Sequence, residues 1–199
     1  MNKEIAELLD GIGCNNLIRR VDELNAACEH IVCLLKESVT LFSSGSYSTS
    51  LFIAITAIEE VAKGHFGLFT AGGPDPESRK KNIFFHHQKK HEMAAQPTVG
   101  MGSRLNEALG KDRVQYLLKQ SHEGSLLKLR ESALYFQRVD GIVTTPRELI
   151  SKEQSAEIIL LAIETFDDAL VGFSNKSMEL SIDTDELFEE VIKLANKSE

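Results

Sequence analysis

Apolar residues recur at intervals of three and four over two long neighbouring stretches, and this pattern limits the fold more than any other feature of the chain. Leu17, Val21, Leu24, Cys28, Ile31, Leu35, Val39 and Phe42 form the first stripe. Tyr47, Leu51, Ile55, Ile58, Ala62, His65 and Phe69 form the second, between Ser46 and about Thr70. Residues so spaced fall on one face of an α-helix. Ser43-Ser44-Gly45 separates the two stretches, and Ser46, Ser48 and Thr49 supply capping oxygens for the second. Ala71-Gly72-Gly73-Pro74-Asp75-Pro76 then breaks the helix. Downstream the spacing predicts helices over 77–95, 103–109 and 111–137, the last weakened at Gly124. A capping Thr145 before Pro146 and a second cap at Ser151 open a helix running to about Phe173. A final amphipathic helix is expected over about 183–197, with an acid-rich first turn that suits the helix dipole. No strand alternation or internal repeat interrupts the pattern. The expectation is an all-α, up-and-down helical bundle forming a single domain over 1–199, with its core over about 16–175.

Composition supports one compact core. Apolar residues make up 42% of the 199 residues, too many for a disordered chain. No apolar run approaches the roughly 18 residues of a membrane span, and the acid-containing Met-Asn-Lys-Glu-Ile-Ala-Glu start does not read as an export signal. The three cysteines, Cys14, Cys28 and Cys33, lack CxxC spacing and are expected as buried or half-buried thiols of a cytoplasmic protein with no membrane partner. The net charge of -8 argues against a non-specific coat for nucleic acid. Its distribution is uneven. From Glu153 to Glu199 twelve acids face three lysines, whereas Arg79 to His91 holds five Lys or Arg, three histidines and no acid.

That basic segment is the first candidate for chemistry. As a helix it sets His86 beside Lys90 and His87 beside His91. Histidine moves protons near neutral pH, and Arg and Lys neutralise phosphate, which together suffice for metal-free RNA cleavage by the substrate's own 2′-hydroxyl. The same residues also read as a solvated basic face. His87 and His91 have the spacing of half a metal site, but no carboxylate shares their face in the sequence, so neither metal nor any other cofactor is expected. The second candidate is Glu59-Glu60-Val61-Ala62-Lys63, charges inside an otherwise apolar helix. A buried acid there needs a cation, either Lys63 or a base from the Arg79–His91 segment, and serves as a structural ion pair or as the orienter of a catalytic base. The third is Leu129-Arg130-Glu131-Ser132-Ala133-Leu134-Tyr135, where Arg130 and Tyr135 either hold a phosphate and stack a base or simply pack. Neither a P-loop nor a GxSxG motif occurs.

Three segments together resemble the AbiV family of abortive infection proteins, grouped with the HEPN superfamily. They are Ser46-Tyr47 through Ala57-Ile58-Glu59-Glu60-Val61-Ala62-Lys63, then Phe85-His86-His87-Gln88-Lys89-Lys90, then Leu129 to Tyr135 with Asp140-Gly141 and Thr145-Pro146 behind it. The resemblance implies a HEPN-like helical bundle, a homodimer, and an anti-phage effector acting on RNA as a metal-independent ribonuclease or RNA-binding translation inhibitor. Such enzymes use an Arg-x4-6-His motif, which Arg79 and His86 match in spacing; where many of them carry the motif, this chain has Arg130-x4-Tyr135. The implied roles are His86 and Arg79 as catalytic residues, Lys90, His87, Arg130 and Tyr135 as phosphate or RNA contacts, and Glu59, Glu60 and Lys63 as orienting groups. The alternative is a non-catalytic interaction module that binds a phage protein or an antitoxin-like partner.

Overall fold

The computed structural model describes residues 18, 20–69, 86–94 and 103–197. Arg79 and Cys14, with the breaker cluster after Phe69, lie outside them. The described residues hold nine helices: α1 (Val21–Ser43), α2 (Tyr47–Phe69), α3 (His87–Ala94), α4 (Arg104–Leu109), α5 (Lys111–His122), α6 (Ser125–Leu134), α7 (Pro146–Leu149), α8 (Lys152–Leu170) and α9 (Asn175–Ala195). The fold is all-α, with one small hairpin, β1 (Gln137–Val139) and β2 (Ile142–Thr144). No described helix is long and apolar enough to cross a membrane.

The two predicted long helices are α1 and α2. They form an antiparallel pair through the turn at Ser44-Gly45-Ser46, where Gly45 takes a positive φ of 79°. At the turn end of the pair two buried serines lock the helices together: Ser38 Oγ donates to the Ser50 carbonyl at 2.9 Å, and Ser50 Oγ to the Ser38 carbonyl at 2.7 Å. Each hydroxyl thus meets an acceptor that burial would otherwise make costly to leave unpaired. α1 shows the expected one-sided stripe, with Leu24, Cys28, Ile31, Leu35, Val39 and Phe42 buried. α2 differs from the one-face expectation. No residue from Ser50 to Leu68 is fully exposed, because α1, α3, α6 and α8 cover it from several sides. α8 is its counterpart, buried at every residue from Ile158 to Phe166. The close approach of the pair uses Gly64, whose position lies 3.4 Å, measured from a β-carbon placed there, from Leu170. α9 closes the bundle by packing on α1 and α8.

Three expectations need correcting. The helix expected over 111–137 is two helices, broken where Gly124 adopts φ 74°, a conformation that favours glycine. A side chain at Gly124 would also meet Gln88 of α3 at 3.1 Å, so this turn sets how closely α3 seats against α5 and α6. The strand-free expectation fails at Gln137–Thr144, where Asp140-Gly141 (φ 50° and 82°) forms the two-residue turn that hairpins favour. The last helix starts at Asn175, not near 183. Ser174 caps it by accepting from the Ser177 N–H, and its first turn carries no acid. The Thr145 and Ser151 caps form as their residue types suggest: Glu148 accepts from the Thr145 N–H, and Ser151 Oγ accepts from the Gln154 N–H.

The far edge of the bundle is held by Arg104. Its guanidinium donates to Glu164 at 2.6 Å, to Asp167 and to Asp185, and lies 4.4 Å over the Phe188 ring, so α4 is pinned to both α8 and α9. Burial pushes the Asp167 carboxyl up to about 6 despite the hydrogen bond from Thr184 and the pull of Arg104.

Candidate functional site

Glu59 sits midway along α2, on the helix that can least tolerate a charge, and its side chain is only 3% exposed. A carboxylate in such a place stays ionised only if cations and donors replace water. α3 supplies three of them. His87 Nδ1 lies 2.7 Å from Glu59 Oε2, Lys90 Nζ lies 2.7 Å from the same oxygen, and His91 Nε2 lies 3.1 Å from Oε1. The spacing explains the convergence: residues 87, 90 and 91 share one helical face. α6 supplies the fourth group. Arg130 Nε is 3.5 Å from Oε1, an ion pair without hydrogen-bond alignment, and its guanidinium lies 4.7 Å over the Phe52 ring about two turns up α2.

The electrostatics follow from this shell. Burial alone would raise the Glu59 pKa. Hydrogen bonds from His91, Lys90 and His87, with the Lys90 charge, outweigh it and hold the carboxyl far below the usual carboxylate range. Burial pulls Lys90 down in turn, partly offset by Glu59. Carboxylate oxygens only accept, so His87 carries its hydrogen on Nδ1 and His91 on Nε2. The consequence differs between the two rings. His91 is fully enclosed and its Nδ1 has no hydrogen-bond partner. His87 is 42% exposed, so its Nε2 is the atom the cluster leaves for an outside molecule.

The structure thus brings together five of the residues singled out by sequence, Glu59, His87, Lys90, His91 and Arg130, and adds Phe52. Lys90 does not face solvent as a phosphate contact would: its side chain is 4% exposed and its ammonium is bonded to Glu59. Lys63 pairs with Glu60 rather than with Glu59, beside the cluster. His86 stands at the start of α3, its carbonyl accepting from the Lys90 N–H at 3.1 Å. Tyr135 follows the end of α6 with its ring exposed, five residues beyond Arg130. A carboxylate does reach both His87 and His91, contrary to the expectation drawn from α3 alone, because it comes from α2. Lys90 already occupies it, and no three His, Cys, Asp or Glu residues among the described ones are grouped to hold a metal ion. Of the thiols, Cys28 is buried, which pushes it up to about 11, with Glu29 adding to the rise; Cys33 is exposed, against expectation, and lies 3.6 Å from Glu37.

The sequence model of AbiV, a HEPN family, matches residues 22–166. The chain belongs to the AbiV family. No curated protein and no solved structure matches it significantly. The AbiV match runs from the start of α1 into α8 and contains every member of the Glu59 cluster, while α9 lies beyond it. Membership in AbiV gives the coarse assignment, a HEPN-type function in abortive infection.

Removing the carboxylate leaves Lys90 buried with its charge uncompensated. Glu59→Ala is therefore expected to destabilise the protein by about 3–5 kcal/mol, measured by urea unfolding at neutral pH. Because the Glu59 pKa is lowered on folding, its contribution is present at all pH values above the ordinary carboxylate range and is lost only as pH falls towards the depressed value. The carboxyl's own titration should accordingly add no pH dependence to the difference between wild type and variant above about pH 5.

Proposed function

We propose that this protein is an abortive-infection effector that cleaves RNA without a metal ion, using His87 as general base. The observation that carries this reading is the Glu59–His87 bond. By accepting the Nδ1 hydrogen, Glu59 fixes the tautomer and leaves Nε2 of this part-exposed ring as the atom able to take a proton, the arrangement by which a carboxylate orients a catalytic imidazole elsewhere. His87 Nε2 takes the proton from a ribose 2′-hydroxyl and the 2′-oxygen attacks the adjacent phosphorus. The bond to the 5′-oxygen breaks, and that oxygen takes up a proton from a second acid, for which His86 is placed next in the chain. The products are a 2′,3′-cyclic phosphate and a 5′-hydroxyl. Arg130, held over Phe52 and 21% exposed, stabilises the negative charge that builds up on the phosphate. Lys90 and His91 are positioning residues: both are buried, and they act by holding Glu59.

The experiment is a cleavage assay on end-labelled cellular RNA in EDTA. Wild type is expected to cut and leave cyclic phosphate ends. His87→Ala is expected to lose roughly 100-fold or more in rate, with helicity retained. Equal cleavage by His87→Ala, or cleavage that EDTA abolishes, contradicts the reading. RNA left intact by wild type favours the non-catalytic module that binds a phage protein, and RNA binding that weakens as salt rises then separates an RNA clamp from a protein-binding surface.

The reading includes a homodimer, and the hairpin supports it. Leu134, Tyr135, Phe136, Val139, Ile142 and Val143 are all exposed on one short segment. A two-stranded sheet with both outer edges open is marginal alone. The segment's two charges, Arg138 and Asp140, cancel, so it is a place where two copies of a chain carrying -8 can meet with little repulsion. It begins directly after α6, so a second copy seated on it would lie near the Arg130 end of the site. Phe136→Asp with Ile142→Asp is expected to shift the protein from dimer to monomer in light scattering after gel filtration. A wild type that is monomeric at about 50 μM, above the affinity expected of a standard-sized interface, contradicts this part of the reading.

A further inference from the structure

A second cleft opens where α5, α6 and α8 meet, on residues that the Glu59 cluster does not use. Its volume is about 240 Å³. Leu117 and Ile158, each 1% exposed, lie beneath its floor; Leu129 is the part-exposed apolar side chain on it, and the half-exposed Tyr116 ring forms one wall. At one end Arg113 is spent: it holds Glu157 through two bonds of 2.7 and 2.6 Å and lies 4.7 Å over Tyr116. That pair is neutral and acts as a wall.

Around the floor stand polar groups with unused capacity. Gln120 gives its amide hydrogen to the Tyr116 hydroxyl, leaving Oε1 to accept. Gln154 accepts from the Ser151 N–H through Oε1, leaving its NH₂ to donate. Ser132 accepts from Gln137 at 3.4 Å and keeps its own hydrogen. The Ser125 hydroxyl has no hydrogen bond within the protein, and the Lys128 ammonium at the rim has no carboxylate partner, among the described residues. The cleft therefore presents several donors, one amide acceptor, one uncompensated positive charge and a flat apolar seat.

Donors of this number call for an acceptor-rich ring, and the free ammonium calls for an anion attached to it. The volume is small beside the roughly 300–1,000 Å³ of sites that enclose drug-sized ligands, so it takes a single base with its sugar and phosphate at the rim. We propose that this cleft binds a nucleoside 5′-monophosphate carrying an oxo-base, uridine or guanosine, with the base over Leu129 and against Tyr116 and the phosphate at Lys128. The base carbonyls accept from Gln154 and the serines, and the ring N–H donates to Gln120. The proposal does not depend on the RNA-cleavage reading, since no cleft residue belongs to the Glu59 cluster.

The test is calorimetric titration of the full chain with UMP, GMP, CMP, AMP, uridine and inorganic phosphate, with amide shifts in NMR to locate the ligand. UMP or GMP is expected to bind saturably and several-fold more tightly than CMP, AMP, uridine or phosphate, shifting amides of α5, α6 and the start of α8. Lys128→Ala is expected to weaken binding roughly tenfold. His87→Ala, which removes the proposed base, is expected to bind UMP as wild type does. A 5′-phosphorylated dinucleotide separates two sources of the same chemistry: tighter binding than UMP assigns the cleft to the end of an RNA strand, and equal binding to a free nucleotide. Absence of saturable binding by UMP and GMP up to about 5 mM, where even a weak site of about -4 kcal/mol fills, overturns the proposal. So do binding unchanged by Lys128→Ala and binding lost in His87→Ala.

Discussion

A carboxylate placed at the centre of an enclosed helix is the constraint on which the seating of α3 and α6 depends. Glu59 cannot stay charged inside α2 unless other elements bring positive charge to it, and among the described residues α3 and α6 do so. The ion pairs therefore decide where these two helices sit. α3 is short and polar, with little apolar surface to dock it, and Lys90, His91 and Ala94 are its only buried residues. What holds it against the bundle is chiefly one acid on α2. Buried ion pairs of this kind contribute little net stability compared with an apolar core, yet breaking one is costly, so they specify position more than they strengthen the fold.

The same cluster separates residues that hold from residues that reach. Lys90 and His91 spend their donors on Glu59 inside the protein, and Arg130 is braced between Glu59 and Phe52. His87, on the same face but at the open end of α3, keeps one nitrogen outside. The opposite edge of the bundle inverts this arrangement: there one cation, Arg104, gathers Glu164, Asp167 and Asp185. Arg104 ties the short α4 to α8 and α9 much as Glu59 ties α3 and α6 to α2. Charge pairing thus seats the short helices, and apolar packing seats the long ones.

Much of this was legible in the residues. The three-and-four periodicity marks α1, α2 and α8, and a charge in the middle of the α2 run signals a buried acid in need of a cation. The sequence also points to the Arg79–His91 segment as a source of that cation. Its limits are physical as well. Helical spacing says that His87 and His91 share a face but not which other helix that face meets, so the carboxylate bonded to both was invisible. Lys90 reads as a solvent-facing base because burial of a lysine depends on a partner 31 residues away. The break at Gly124 turns on one backbone angle, and the hairpin at Gln137–Thr144 is too short to show alternation. The clamp at Arg104 joins residues up to 81 positions apart and has no local signature.

The role proposed for His87 requires that Glu59 accept its Nδ1 hydrogen and so leave Nε2 as the reactive atom. This is tested by the nitrogen-15 spectrum of the histidine side chains at a pH where His87 is neutral, assigned with His87→Ala and repeated in Glu59→Gln. Neutral His87 is expected to be protonated on Nδ1 in the wild type and to lose that preference in Glu59→Gln. A wild-type His87 protonated on Nε2, or a tautomer indifferent to Glu59, would contradict this role.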